Sequence, residues 1–168
     1  MTKKIILAVA IITIVIQSCK KEENSTSATP SPTEDTVYLK AKVGSLVDFK
    51  ANLSRVSIDT VKSQIGKITQ IVAYNANNYK MIIVFEGRDT GTYILGSTIK
   101  LNYVSVYNNN SELWRTITNG GVLKITKYDT VNHKMSGTFN ADLRKTSSNF
   151  DYQFIDDGEF KDLTITGF

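Results

Sequence analysis

One cysteine, one histidine, one tryptophan and two prolines are spread over 168 residues. A single Cys excludes an internal disulfide and a multi-cysteine metal site. A single His excludes a histidine cluster, and any Ser-His-Asp or Cys-His arrangement would have to be built on it. Both prolines, Pro30 and Pro32, lie early, so residues 37–168 run without one. No apolar run is long enough to cross a bilayer. The longest, residues 5–16, is broken only by Thr13; as a helix it would span under about 20 Å, against roughly 30 Å of hydrocarbon. Neither sign of charge dominates: 20 basic and 16 acidic residues leave +4. Lys3 and Lys4 belong to a segment expected to be removed, so no footprint for nucleic acid remains. What is present is an ordinary globular composition, 41% hydrophobic and 21% charged, sufficient for one core and one domain.

The first nineteen residues read as an address. Met1-Thr2-Lys3-Lys4 is a positive n-region, and residues 5–16 fit a signal-peptide h-region. Gln17, Ser18 and Cys19 follow. A small residue before a Cys, directly after an h-region, resembles the lipobox of bacterial lipoproteins. The resemblance implies cleavage after Ser18 and acylation of Cys19, so residues 1–18 are the signal peptide. An odd Cys outside the cytosol is otherwise a reactive liability. Several acyl chains, at about 0.8 kcal/mol per buried CH₂, would hold the protein firmly at a membrane. Lys20, Lys21, Glu22 and Glu23 come next, without an Asp directly after the Cys. This run resembles the surface-export signal of Bacteroidota lipoproteins; read plainly, it is a solvated charge run that opens a linker.

Residues 24–33 are rich in Ser and Thr and hold both prolines. Such a segment cannot form a core and reads as a flexible tether. With Cys19 it makes a second unit, residues 19–36. The 17 residues 20–36 have a mean reach of about 20–25 Å. From residue 37 to 168 the composition does not shift again, so this is taken as one domain.

That domain alternates with period two. Leu39, Ala41 and Val43 face one way, with Tyr38, Lys40 and Lys42 the other. Val47, Phe49 and Ala51 return after Gly44-Ser45. Tyr79, Met81, Ile83 and Phe85 form an inner face, with Ile82 and Val84 on the outer one, as expected of a central strand. Turns are expected at Asn75-Ala76-Asn77-Asn78, Gly96-Ser97, residues 108–111, Asn119-Gly120-Gly121 and Asp156-Asp157-Gly158. Gly137 is a bulge candidate. Phe150, Tyr152 and Phe154 alternate, and the Phe residues in general fall on inward positions. Residues 55–66 are the one stretch where Ile58, Val61 and Ile65 would also suit a helical turn. The expected class is all-β: a single antiparallel β-sandwich or flattened β-barrel of about nine to eleven short strands.

Several short motifs recur in a familiar order: Gly91-Thr92-Tyr93, Gly121 to Thr126 followed by Asp129, Met135-Ser136-Gly137-Thr138-Phe139, and Asp157-Gly158-Glu159-Phe160. Together with the opening hairpin, residues 41–51, they resemble a family of small Bacteroidota outer-membrane lipoproteins with an all-β domain of unknown function. The resemblance implies a fold and a compartment. It brings no activity, catalytic residue or cofactor.

His133 lies in an expected hairpin loop without an orienting partner, which makes it a poor general base. Asp156, Asp157, Glu159 and Asp162 are a carboxylate cluster whose spacing does not match an EF-hand; solvated turn residues are the simpler reading. No catalytic residue, metal ligand or cofactor is therefore assigned. Tyr107 and Trp114, near strand ends, are the candidate ligand-binding aromatics, since exposed rings stack on sugars or anchor proteins. The plain reading of Trp114 is the core Trp of a small β-domain. Asp-Thr-Val occurs three times, and this resembles the O-glycosylation acceptor of Bacteroidota exported proteins; Thr36, Thr60 and Thr130 would carry the glycan.

The expected protein is a lipid-anchored lipoprotein of the outer membrane, on the cell surface or otherwise on the periplasmic face. Its expected role is non-enzymatic binding of a glycan or protein partner. The alternatives are a lipocalin-like carrier, which needs an enclosed cavity of at least about 300 Å³, and a structural envelope component, which needs a broad exposed apolar patch.

Overall fold

The computed structural model describes residues 37–63 and 66–166. The lipobox, the charge run 20–23, the tether and Thr36 lie outside them. Nine strands follow one another: β1 (Tyr38–Val43), β2 (Val47–Ser63), β3 (Gly66–Asn75), β4 (Lys80–Glu86), β5 (Gly91–Ile94), β6 (Tyr103–Tyr107), β7 (Leu113–Asp129), β8 (Lys134–Lys145) and β9 (Tyr152–Thr164). Every pairing is antiparallel. β7 pairs with β8 and β9 pairs with β1, so eight strands close into an up-and-down barrel. β5 adds to β7 on the side that β6 occupies further up the strand. The all-β expectation holds, and of its two forms the closed barrel is the one realised.

The alternation sets the inside. Leu39, Ala41 and Val43 from β1, Met81, Ile83 and Phe85 from β4, and Phe139, Ala141 and Leu143 from β8 all point into one continuous core. An eight-stranded barrel has an interior just wide enough for side chains to fill. Here Phe49, Phe85, Phe160 and Trp114 are among the large residues that fill it.

The turns form where glycine and asparagine suggest them at residues 44–46, 76–77 and 109–110. Asn75 accepts two backbone hydrogen bonds through Oδ1, from Asn77 N and Tyr79 N, both at 2.9 Å, and so closes the β3–β4 hairpin. Three expectations are corrected. Residues 55–63 are strand, not a helical turn, because their register with β3 is continuous from Val56↔Ala73 to Ser63↔Gly66. Asn119-Gly120-Gly121 does not separate two strands. It is an irregularity inside the 17-residue β7, where Thr116 opposes Leu143 but Gly121 opposes Ala141. Asp156-Asp157-Gly158 is likewise not a turn but lies within β9.

Candidate functional site

Asp156 and Asp157 form a β-bulge. On β8, Phe139 and Ala141 are two residues apart, yet their partners Gly158 and Ile155 are three apart. On β1, Lys40 and Val43 are three apart against four for Glu159 and Ile155. Both neighbours therefore count one extra residue in β9. A bulge re-aims side chains: Asp156 and Asp157 are both exposed, while Ile155 and Gly158 on either side are buried. Gly158 lies over the Phe139 ring, where a Cβ would stand 2.5 Å from two ring carbons.

The residues leading into the bulge are aromatic and face solvent. Phe150 is 94% exposed, Tyr152 43% and Phe154 51%. Tyr152 and Phe154 lie two residues apart on one face of β9, about 7 Å along the strand. On β8, Tyr152 opposes Arg144 and Phe154 opposes Asp142. With Phe150 in the bend before the strand, Tyr152 and Phe154 thus lead along β9 towards the bulge.

Three open clefts meet there. One of about 510 Å³ lies between Ile94, Asn119, Asn140, Asp142 and Asp156. One of about 420 Å³ lies between Lys40, Lys124, Asn140, Asp156 and Asp157. One of about 330 Å³ lies along Lys40, Lys42, Lys50 and Asp157. The first two share Val122, Asn140 and Asp156; the last two share Lys40 and Asp157. Tyr38 donates a hydrogen bond to Glu159 Oε1 at 2.7 Å, and Lys40 Nζ reaches Oε2 at 3.2 Å. The Tyr38 hydroxyl, then the Lys40 ammonium, hold the Glu159 carboxyl below its ordinary pKa. The clefts therefore offer an amide at Asn140 and carboxylates and ammonium groups for hydroxyls or charges, and Phe154 lies opposite Asp142, which lines the first of them.

The aromatics singled out by sequence lie elsewhere. Trp114 is 2% exposed, inside the barrel, with Nε1 donating to Asp151 Oδ1 at 3.4 Å. It is a core residue, and its expected surface role is corrected. Tyr107 is on the outer surface but half-buried, with the Lys80 ammonium 5.5 Å from its ring centroid and 5.8 Å from that of Tyr74. Its face is covered by a cation, not open. The expectation that Phe residues point inward fails for Phe150 and Phe154.

The expected carboxylate cluster is dispersed into separate contacts. Asp162 pairs with Lys127 at 2.9 Å, and Glu159 with Tyr38 and Lys40. Among the described residues no group of three or more His, Cys, Asp or Glu could hold a metal ion. His133 sits in the β7–β8 turn with φ 54°, at the opposite end of β9 from Phe150. Thr130 is exposed in the same turn. Thr60 is not in a loop: it lies within β2, opposite Thr69.

Residues 36–164 match the family described as Domain of unknown function (DUF6252). The chain belongs to this family. The match spans the whole barrel, so the DUF6252 domain and the eight-stranded ring with its added β5 are one unit. No curated protein and no solved structure matches the chain. The bulge and its aromatic residues thus belong to a DUF6252 barrel.

Proposed function

We propose that this DUF6252 barrel is a non-enzymatic binding module for a glycan. The observation that carries the reading is the exposed row of Phe150, Tyr152 and Phe154 running into the bulge at Asp156 and Asp157. Sugar rings stack on flat aromatic faces, and their hydroxyls are met by carboxylates, amides and ammonium groups. The same row could anchor a protein, but hydrogen-bonding side chains crowd the adjoining clefts, which favours a polar ligand. The carrier reading shares the barrel topology. Its ligand would have to enter an interior already filled by the protein's own side chains.

The module is carried, in this reading, on a lipid at Cys19 and exported by Lys20, Lys21, Glu22 and Glu23 to the surface of a Bacteroidota outer membrane. The n-region, the short h-region and Ser18-Cys19 support it. Of the two candidate acceptors among the described residues, Thr130 lies in the β7–β8 turn and Thr60 within β2.

The test is calorimetric titration of the detergent-solubilised full chain with neutral and acidic oligosaccharides. Tyr152→Ala and Phe154→Ala should each weaken binding about two- to tenfold, since an aromatic contact contributes roughly 0.5–1.5 kcal/mol. Both variants change exposed residues and should melt as the parent does. Binding that survives loss of both rings would overturn the site, and a protein ligand with the same dependence would overturn the glycan assignment.

A further inference from the structure

The outer face of β7 to β9 carries two facing cations beside the exposed aromatics. Arg115 of β7 stands directly opposite Arg144 of β8, and Arg144 stands opposite Tyr152 of β9. All three residues are exposed. Partners directly opposite in an antiparallel ladder share a face. Trp114 and Leu143, the chain neighbours of the two arginines, are buried in the core, so that face is the outer one. Adjacent strands lie about 4.8 Å apart, so the step from Arg115 to Tyr152 is roughly 10 Å.

Like charges directly opposite destabilise a sheet, and the protein does not relieve this pair. Among the described residues neither guanidinium is in an ion pair or a hydrogen bond. Glu112 and Asp151, the acidic residues near this end of the ladder, are taken by Lys145. Asp142, the outward residue of β8 before Arg144, opposes Phe154 and lines the cleft on that side. Arg115 is nonetheless held in place: its guanidinium carbon stands 3.9 Å from the centroid of the Tyr103 ring. Stacking occupies the face of a guanidinium and leaves the N–H donors at its edge for an anion. A cleft of about 210 Å³ opens beside this pair, lined by Lys100, Tyr103, Arg115 and Thr118 among others, with two cations and no carboxylate in its lining. The backbone at Lys100 is fixed, since Ser97 Oγ accepts from Lys100 N at 3.0 Å and Glu86 Oε1 from Leu101 N at 2.7 Å.

We infer that the glycan bound at Tyr152 and Phe154 is an acidic one, a chain of uronic acids whose carboxylates are held by Arg144 and Arg115; this rests on the glycan reading of the aromatic residues. A guanidinium fork matches a planar carboxylate. A sugar ring on Tyr152 has Arg144 one strand away and Arg115 two strands away, so successive acidic groups meet successive cations. Lys100 adds charge at the far side. Asp142 and Asp156 lie on the Phe154 side, where they accept from sugar hydroxyls and turn acidic groups away. The ligand therefore lies across the strands, with its carboxylates towards β7.

The experiment titrates the detergent-solubilised full chain with trigalacturonic acid and with its methyl ester, which keeps the rings and removes the charge. The acid is expected to bind about tenfold tighter or more, the value of a charge-assisted hydrogen bond, and its advantage should shrink as salt is raised. Arg115→Gln and Arg144→Gln should each remove most of that advantage and leave the affinity for the ester within about twofold. Arg144→Lys, which keeps the charge without the fork, should retain part of it. Tyr152→Ala should weaken both ligands. A preference for the acid that survives in both Gln variants overturns the arginine site. Equal affinity for acid and ester, or binding of neutral oligosaccharides alone through Tyr152 and Phe154, overturns the acidic ligand and leaves the glycan reading standing. Absence of binding to every oligosaccharide overturns both.

Discussion

Gly158 holds the bulge of β9 against the ring of Phe139, and there is no space for a side chain between them. A Cβ would lie 2.5 Å from two ring carbons, and Phe139 is itself buried in the core. Gly158→Ala must therefore displace a packed aromatic. Overpacking of this kind costs about 1–3 kcal/mol, so urea unfolding should show that loss. Gly91→Ala, whose Cβ would first meet Tyr93 at 3.8 Å, should change stability by less than about 0.5 kcal/mol. Equal effects at the two positions would remove the close packing as the reason for the glycine. The fate of single aromatics was less legible in the sequence. Alternation puts Tyr152 and Phe154 on one face without saying which, and Phe150 lies in a bend before β9 begins. The phase is set by Ile155, one residue on, which is buried opposite Ala141. Trp114 was ambiguous for the same reason. Its neighbours Leu113 and Arg115 do not decide the side, whereas its pairing with Val106 in the core does.

Strands were legible as strands, but their ends were not. Glycine and asparagine mark a change of direction only when the chain also has to reverse. In β7 the Asn119-Gly120-Gly121 segment keeps its direction, because β8 pairs with the strand on both sides of it. The extra residues are absorbed by a left-handed Asn119 at φ 53° and by the close approach of Gly121 to Asn140 O. Asp156-Asp157 behaves in the same way in β9, and there the consequence is functional. The bulge is one residue long by the count of both neighbouring strands. Deleting Asp157 should then keep the register on either side while removing the paired outward carboxylates. The deletion variant is expected to fold, with the parent's circular dichroism spectrum, and to bind the glycan more weakly. Undiminished affinity in a folded deletion variant would show that the bulge is a structural feature only. The groove itself was beyond the sequence, since Lys40 on β1 meets Lys124, Asn140 and Asp156 of β7, β8 and β9 only through the β1–β9 pairing that closes the barrel.

Closure also gives the molecule two unlike ends. Chain entry at Tyr38 pairs with Lys161, close to the His133 turn, whose carbonyl accepts from Ile165 N. The β1–β2 turn lies at the other end, where Gly44 N donates to Phe154 O. β9 has 13 residues, so Tyr152 and Thr164 are separated by roughly 40 Å along the strand. The aromatic row therefore begins at the end away from Tyr38, and a cleft beside Lys67, Arg88 and Tyr128 lies at the Tyr38 end. The anchor proposed at Cys19 is testable in intact cells. With a tag after Phe168, external protease should remove the tag signal while a periplasmic control protein stays protected. Cys19→Ser should move the protein from the detergent phase to the aqueous phase on Triton X-114 partition and release it from the cell surface. Protection of the tag until lysis would place the barrel on the periplasmic side and remove the outward-facing glycan as its ligand. Partition unchanged by Cys19→Ser would remove the lipid altogether.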